Sequence, residues 1–315
     1  MKARLFCLAA VLSTALIACE GSSDTSNNNG GDGGAGGDAA GGAGGNGNSN
    51  GECPAQASGV AANHIIVKVT WPESLGLQAG EGEMHIWTKA DLTFDGNDVS
   101  GVAEPCGSVI PELVKSDLAG GGKVQTEIPD EVWDAPSMPS FQVKGTISGF
   151  DVGATISMDP IASTVGLTMD DPANDPWPAS YDKLTTADDD GDGQPGIKAV
   201  PRTDGEFEAP PLDLQGALDP NGPRADEVYV ATRTLIALAG TRDSCTSAKG
   251  SADVSHVDSH VVGCHIKGGD HCNAEQTNFI DANQPKFTIK SASYEMVAVP
   301  KGATCADVRA ALPMK

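Results

Sequence analysis

Three aspartates at alternate positions, Asp188, Asp190 and Asp192, followed at once by Gly193, form the sharpest chemical signal in the chain. Carboxylates spaced this way on a tight turn can be aimed at one point, and a glycine permits the bend that gathers them. Such a cluster suits capture of a hard cation. Calcium takes about six to eight oxygen ligands and tolerates irregular geometry. Further oxygens would come from carbonyls, from water, or from acids elsewhere such as Asp182, Asp204 and Glu206. The alternative is an acidic turn in solvent.

A second group of chemically able side chains lies nearer the C-terminus. His256, His260, His265 and His271 fall in one segment with Cys264 and Cys272. On a helix His256 and His260 would share a face and could chelate zinc. Residues 251–262 read as a strand, however, where a rise of ~3.3 Å per residue sets the two about 13 Å apart. Pairing of His265 with His271, or of Asp270 with His271, stays open beside the reading of polar strand histidines next to a disulfide. The chain contains no G-x-S-x-G nucleophile turn, no H-E-x-x-H and no phosphate loop. Gly31-x-Gly33-x-x-Gly36 matches a dinucleotide fingerprint only in letters, since no strand pattern precedes it and no helix pattern follows. Trp71 and Trp87 sit in strand-like alternation and suit a core. Trp177, within Asp-Pro-Trp-Pro, is expected nearer the surface.

The N-terminus fixes the address. Lys2 and Arg4 precede an apolar run over residues 5–18 that is too short to span a bilayer, and the run ends in Leu16-Ile17-Ala18-Cys19. A charged start, a short apolar middle and small residues before a cut describe a signal peptide over residues 1–18. Residues 20–52 are mostly Gly, Asn, Ser, Ala and Asp, without an aromatic residue or a Lys or Arg. Such a segment cannot bury enough apolar surface to offset its ordering entropy, so a disordered tether is expected, with a root-mean-square reach of roughly 30 Å. With 43 acidic and 20 basic residues the formal charge is −23, which argues against a nucleic-acid partner. Acidity also leaves any membrane attachment to lipid chains rather than to basic patches.

Leu16-Ile17-Ala18-Cys19 resembles the lipobox of bacterial lipoproteins. That resemblance implies cleavage before Cys19 and acylation of its thiol and new amino group, so that Cys19 becomes the membrane anchor. Buried acyl chains contribute ~0.8 kcal/mol per methylene, enough for stable attachment once two or three are present. Asp188-x-Asp190-x-Asp192-Gly193 resembles the start of calcium loops in EF-hands, dockerins and thrombospondin type 3 repeats. It implies side-chain ligands from Asp188, Asp190 and Asp192 and a backbone carbonyl from Gln194. The pattern departs from the EF-hand at its twelfth position, which is Ala199 instead of a glutamate, and at its ninth, which is Gly196. As a whole the chain resembles the Gly-tethered envelope lipoproteins of Gram-negative soil bacteria, a group that supplies no activity to carry over. An outer-membrane location is expected, with periplasmic or external facing left open.

Cys53, Cys106, Cys245, Cys264, Cys272 and Cys305 remain for the exported domain, an even number that suits three disulfides. Their positions favour Cys53 with Cys106, and pairing of the other four among themselves. The elements that must position these groups are mostly strands. Residues 64–71 place Ile65, Val67, Val69 and Trp71 on one face. Shorter runs follow at 83–89, 123–128, 141–148 and 151–158, with Gly149-Phe150-Asp151 as a hairpin turn. Residues 227–239, 251–262 and 286–299 come at hairpin-like spacing. Helices are expected at 111–118 and, capped by Thr304, at 305–312. The fold class is therefore mainly β, an antiparallel sandwich or barrel over residues 53–315 with an acidic insertion at about 159–226.

The function that fits is a non-enzymatic, calcium-stabilised module on the cell envelope, serving in binding or surface structure, its protein or glycan partner unspecified. One alternative is a lipocalin-like carrier with a small apolar ligand inside the barrel. Another is a polymer hydrolase with two carboxylates ~5 to 9 Å apart across a cleft.

Overall fold

The computed structural model describes residues 51–74, 76–117, 121–207 and 222–315. The signal segment, Cys19 and the tether as far as residue 50 lie outside the described residues. The described residues all belong to one compact unit.

Alternation of apolar and polar side chains drives the chain into long antiparallel strands. β1 (Ser58–Trp71), β2 (Gly80–Asp95) and β3 (Asp98–Val109) run as a meander. Short pieces follow: β4 (Leu113–Val114), β5 (Lys123–Val124), β6 (Thr126–Glu127) and the helical turn α1 (Asp130–Trp133). β7 (Phe141–Ile147) and β8 (Thr155–Val165) form a hairpin, and β9 (Leu167–Thr168), β10 (Thr185–Thr186) and β11 (Ile197–Pro201) are brief. β12 (Ala225–Arg242) and β13 (Ser247–Ile266) make a long hairpin. It leads through α2 (Ala274–Asn283) to β14 (Thr288–Val299) and α3 (Cys305–Ala311).

Eight of these strands close on themselves. Around the ring each is paired antiparallel with its neighbour in the order β1, β2, β3, β7, β8, β12, β13, β14, and β14 pairs with β1 again. The fold is thus an up-and-down barrel, the arrangement that leaves no unpaired edge. Where β7 and β8 do not reach, β11 and β6 complete the wall between β12 and β3.

The barrel interior is apolar. Ile65, Val67, Val69 and Trp71 of β1 point inward, as their spacing requires, and pack with Leu92, Val99, Val143, Ile147, Ile236, Leu238 and Tyr294. The opposite face of the same strands is polar and exposed at Gln142, Lys144 and Thr146 of β7 and at Lys249, Ser251 and Asp253 of β13. This is the reverse of a lipid-embedded barrel, which carries its apolar band outside. Side chains fill the interior. The cavity at one mouth, lined by Leu92, Val99, Ile147, Met158 and Arg242, holds about 70 Å³. That is well below the ~300 Å³ of a typical small-molecule pocket.

Part of the outer wall is covered. α3 and α1 lie over β1 to β3 and bury Ala62, Trp87, Val132, Trp133, Val308 and Leu312 between them. Trp87 Nε1 donates to the Leu312 carbonyl at 2.8 Å. Trp71 and Trp87 are both core residues, on opposite sides of the wall. The α3 cap is as its sequence implied: Thr304 and Asp307 form a reciprocal capping box.

Two expectations are corrected, and one helix is added. No α-helix forms over residues 111–117, the described part of the 111–118 stretch; Leu113–Val114 pair as β4 with β5, because Leu113 is drawn into the core at one end of the barrel. α2 was not expected from its sequence, since it carries no apolar stripe and starts on an Asn273–Gln276 capping box instead. The disulfides are Cys53–Cys245, Cys106–Cys305 and Cys264–Cys272, with Cα separations of 5.3, 4.8 and 5.1 Å. Ring closure explains the first two. The residue leading into β1 meets the β12–β13 turn, and α3 lies against β3, so partners far apart in sequence become neighbours. The acidic stretch 159–226 contributes to the wall at both its ends and at β11, while residues 166–196 fold over the outside of β12 and β13.

The bonds close very different loops, with sequence separations of 199 for Cys106–Cys305 and 8 for Cys264–Cys272. On loop entropy, replacing Cys106 and Cys305 together by Ser is expected to cost about 5 kcal/mol, and replacing Cys264 and Cys272 about 2.5 kcal/mol, in urea unfolding. Equal losses would contradict the assignment of the long bond as a barrel clasp.

Candidate metal centre

The Asp188–Asp192 turn is carried by the segment that leaves β8 and returns as β11. Its position is set by two glycines in the left-handed region. Gly166 (φ 78°) and Gly196 (φ 94°) lie against each other and against the Val230 carbonyl of β12. A Cβ at Gly166 would stand 2.5 Å from that oxygen and one at Gly196 would stand 2.8 Å from it, so only glycine lets the loop approach the wall so closely. Gly196 N–H donates to the Ala187 carbonyl, and Ala187 N–H to that of Gly166. Below this clasp Leu167, Tyr229, Ala231 and Val262 form a small core joined by Trp177, Tyr181 and Leu184.

The rest of the loop is tied to β12 and β13 by polar contacts. Trp177 stacks on His260 with centroids 5.2 Å apart, and Arg233 lies over the same indole. Trp177 is thus half-buried against β13, nearer the surface than Trp71 and Trp87. Arg233, almost fully buried, forks onto Asp258 and donates to the Asp175 carbonyl at 2.6 Å. His260 bonds Asp281 through Nδ1 and the Pro178 carbonyl through Nε2.

On this platform the structure brings Asp188, Asp190 and Asp192 together. One carboxylate oxygen from each lies within 4.8 Å of the others. Oxygens sharing a calcium ion sit ~2.3 to 2.6 Å from it, hence up to about 5 Å apart, so the triad has the right span. Asp188 accepts from the N–H groups of Asp192 and Gly193, and Asp192 accepts from Gln194 N–H at 2.8 Å. Asp190 Oδ2 accepts from Lys198 N–H at 2.7 Å, whereas its Oδ1 is shut off from solvent with no hydrogen-bond partner. A solvent-excluded carboxylate oxygen without a donor is costly, and a cation would satisfy it. Gly193 adopts a φ of 86°, the bend its position in the sequence implied.

Asp189 has a different role. It turns away and accepts the Gly166 N–H at 2.6 Å, while its own carbonyl takes the Ser137 hydroxyl. It locks the turn to the glycine clasp, a role that nothing in the run of aspartates distinguishes. Burial holds the Asp189 and Asp190 carboxyls above the ordinary range, and neighbouring aspartates add to it. The more distant acids do not join. Asp182 is engaged by Ser180 and Lys183, Asp204 by Arg202, and Glu206 by Lys123. Ala199 is buried on β11, so the twelfth position of the EF-hand pattern supplies no side-chain ligand here. Any further oxygens come from carbonyls or water.

The histidines separate. His256 and His260 both lie on β13, as the strand reading requires, with His260 buried and His256 half-buried. His265 and His271 come together across a bridge of their own.

Comparison with protein-family models, with curated proteins and with solved structures finds no match for this chain.

A raised carboxyl pKa has a definite sign. Between the unfolded value, ~4, and the higher folded value, the folded state binds more protons, so stability is lost as pH rises through that window. Asp190→Asn keeps an acceptor for Lys198 N–H and removes the repelling charge. In chelator this variant is expected to melt above the wild type, with the gap widening as pH rises from about 4 to 7. A lower midpoint for Asp190→Asn in chelator at neutral pH would show that the charge is not a burden.

Proposed function

We propose that the chain is a lipid-anchored cell-envelope protein whose β-barrel is a non-enzymatic binding or surface-structural module clamped by calcium. Cys19 would be the acylated anchor, in the outer membrane, and residues 20–52 the spacer that holds the barrel clear of the lipid headgroups. Three disulfides suit a chain that folds in an oxidising compartment. Asp188, Asp190 and Asp192 would supply side-chain ligands and Gln194 a carbonyl.

The observation that carries the calcium reading is the buried, unpartnered Oδ1 of Asp190 within the triad. The filled interior supports a surface module over a carrier, because a cavity of about 70 Å³ would not take a lipid-like ligand. Calcium then stabilises the fold by holding together, within one turn, carboxylates that otherwise repel. Millimolar calcium outside cells makes even weak sites useful, with dissociation constants of ~10⁻⁴ to 10⁻³ M.

Thermal unfolding of the oxidised protein in chelator and in calcium tests the clamp. Calcium at about 100 times its dissociation constant is expected to add ~2.7 kcal/mol, a midpoint rise of roughly 5 to 10 °C. Asp190→Asn and Asp192→Asn together should abolish that rise. No calcium-dependent shift in the wild type would overturn the reading. The anchor is tested separately: Cys19→Ser should release the protein from the membrane fraction and abolish labelling by radioactive palmitate. Retained labelling would refute acylation at Cys19.

A further inference from the structure

We propose that His265 and His271 form a second, independent metal site, for a borderline divalent transition ion such as copper or zinc, held in shape by the Cys264–Cys272 disulfide. At its far end β13 turns back on itself. Ile266 N–H donates to the Asp270 carbonyl, Cys272 N–H donates to that of Cys264 at 2.7 Å, and His265 bridges His271 between them. Residues directly opposite on antiparallel strands have Cβ atoms about 4.5 to 5.5 Å apart on the same face. Cys264 and Cys272 take the inner face, where Cys264 is buried against Ala225, Val228 and Val261. The alternation of a strand therefore sends both imidazoles to the outer face. The disulfide flanks each histidine and fixes the register of the pair.

The spacing suits chelation. The ring centroids are 5.2 Å apart. A metal–nitrogen bond of ~2.0 to 2.1 Å plus a ring radius of about 1.2 Å, at a tetrahedral angle, sets two ligating imidazoles about 5 Å apart. A register shift in β12 between Ala225 and Glu227 aims Asp226 at His265, whose Nδ1 it meets at 2.7 Å. A carboxylate on one ring nitrogen orients the imidazole, makes it a better donor and leaves Nε2 to coordinate. The same contact holds the His265 imidazolium above its ordinary range. His271 lies exposed beside the ring of Tyr229, 6.0 Å between centroids. Two imidazoles backed by a carboxylate select copper or zinc over calcium, with copper bound most tightly. The acidic turn prefers hard oxygen-seeking ions, so the two sites differ in what they take.

Titrating the whole oxidised chain with Cu²⁺, in excess calcium, tests the site. One strongly bound copper is expected, with an electron paramagnetic resonance spectrum split by two imidazole nitrogens. His271→Gln should weaken binding by roughly tenfold or more, and His265→Gln likewise, while His256→Gln on the same strand should leave it unchanged. Replacing Cys264 and Cys272 together by Ser should also weaken it by roughly tenfold, because the pair loses its register. Asp188→Asn with Asp190→Asn should leave copper binding intact. A wild-type spectrum with one imidazole nitrogen or none would overturn the proposal without recourse to any variant. An equal loss in His256→Gln would do the same.

Discussion

Pairing of β14 with β1 is the constraint on which the rest of the molecule depends. It joins the last strand of the barrel to the first, Ile65 opposite Tyr294, and turns a sheet with two open edges into a ring. Closure forces every inward residue to pack against the others across the lumen, which is why Tyr294 and Val67 are among the most buried side chains. It also brings both ends of the chain's folded part to the same wall. Cys53 reaches Cys245 and Cys106 reaches Cys305 only because of that return.

A closed wall with a filled interior leaves chemistry to the outer surface. The 166–196 segment exploits this by lying across β12 and β13, clasped by Gly166 and Gly196 and pinned by Trp177, Arg233 and His260. Packing alone does not explain why the turn then gathers three carboxylates and buries an oxygen of one. Like charges within a few ångströms raise each other's free energy, and burial of Asp190 makes that worse. A bound divalent cation would add an attraction to each carboxylate that opposes this repulsion, which is the basis of the proposed clamp.

The sequence made the strands legible wherever one side chain in two was large and apolar, as at Ile65, Val67, Val69 and Trp71. It hid β3, whose Gly101, Pro105 and Gly107 look like loop residues and are tolerated because neighbours on both sides supply the pairing. α2 was hidden for a related reason. Its contact with β13 is made by few apolar side chains, and only the Asn273–Gln276 box marked its start. The aspartate triad was legible because its members lie within five residues and the bend between them is local. Asp189's contact with Gly166, the convergence of Asp226 with His265, and the disulfide pairing were not, since each depends on which strands neighbour which in the ring.

Amide hydrogen exchange in the presence and absence of calcium tests the proposed clamp on the outer loop of the barrel. Protection should rise most at residues 187–198 and around Gly166, and in β1 to β3 by no more than the gain in global stability allows. Unchanged exchange at 187–198 with saturating calcium would contradict the account.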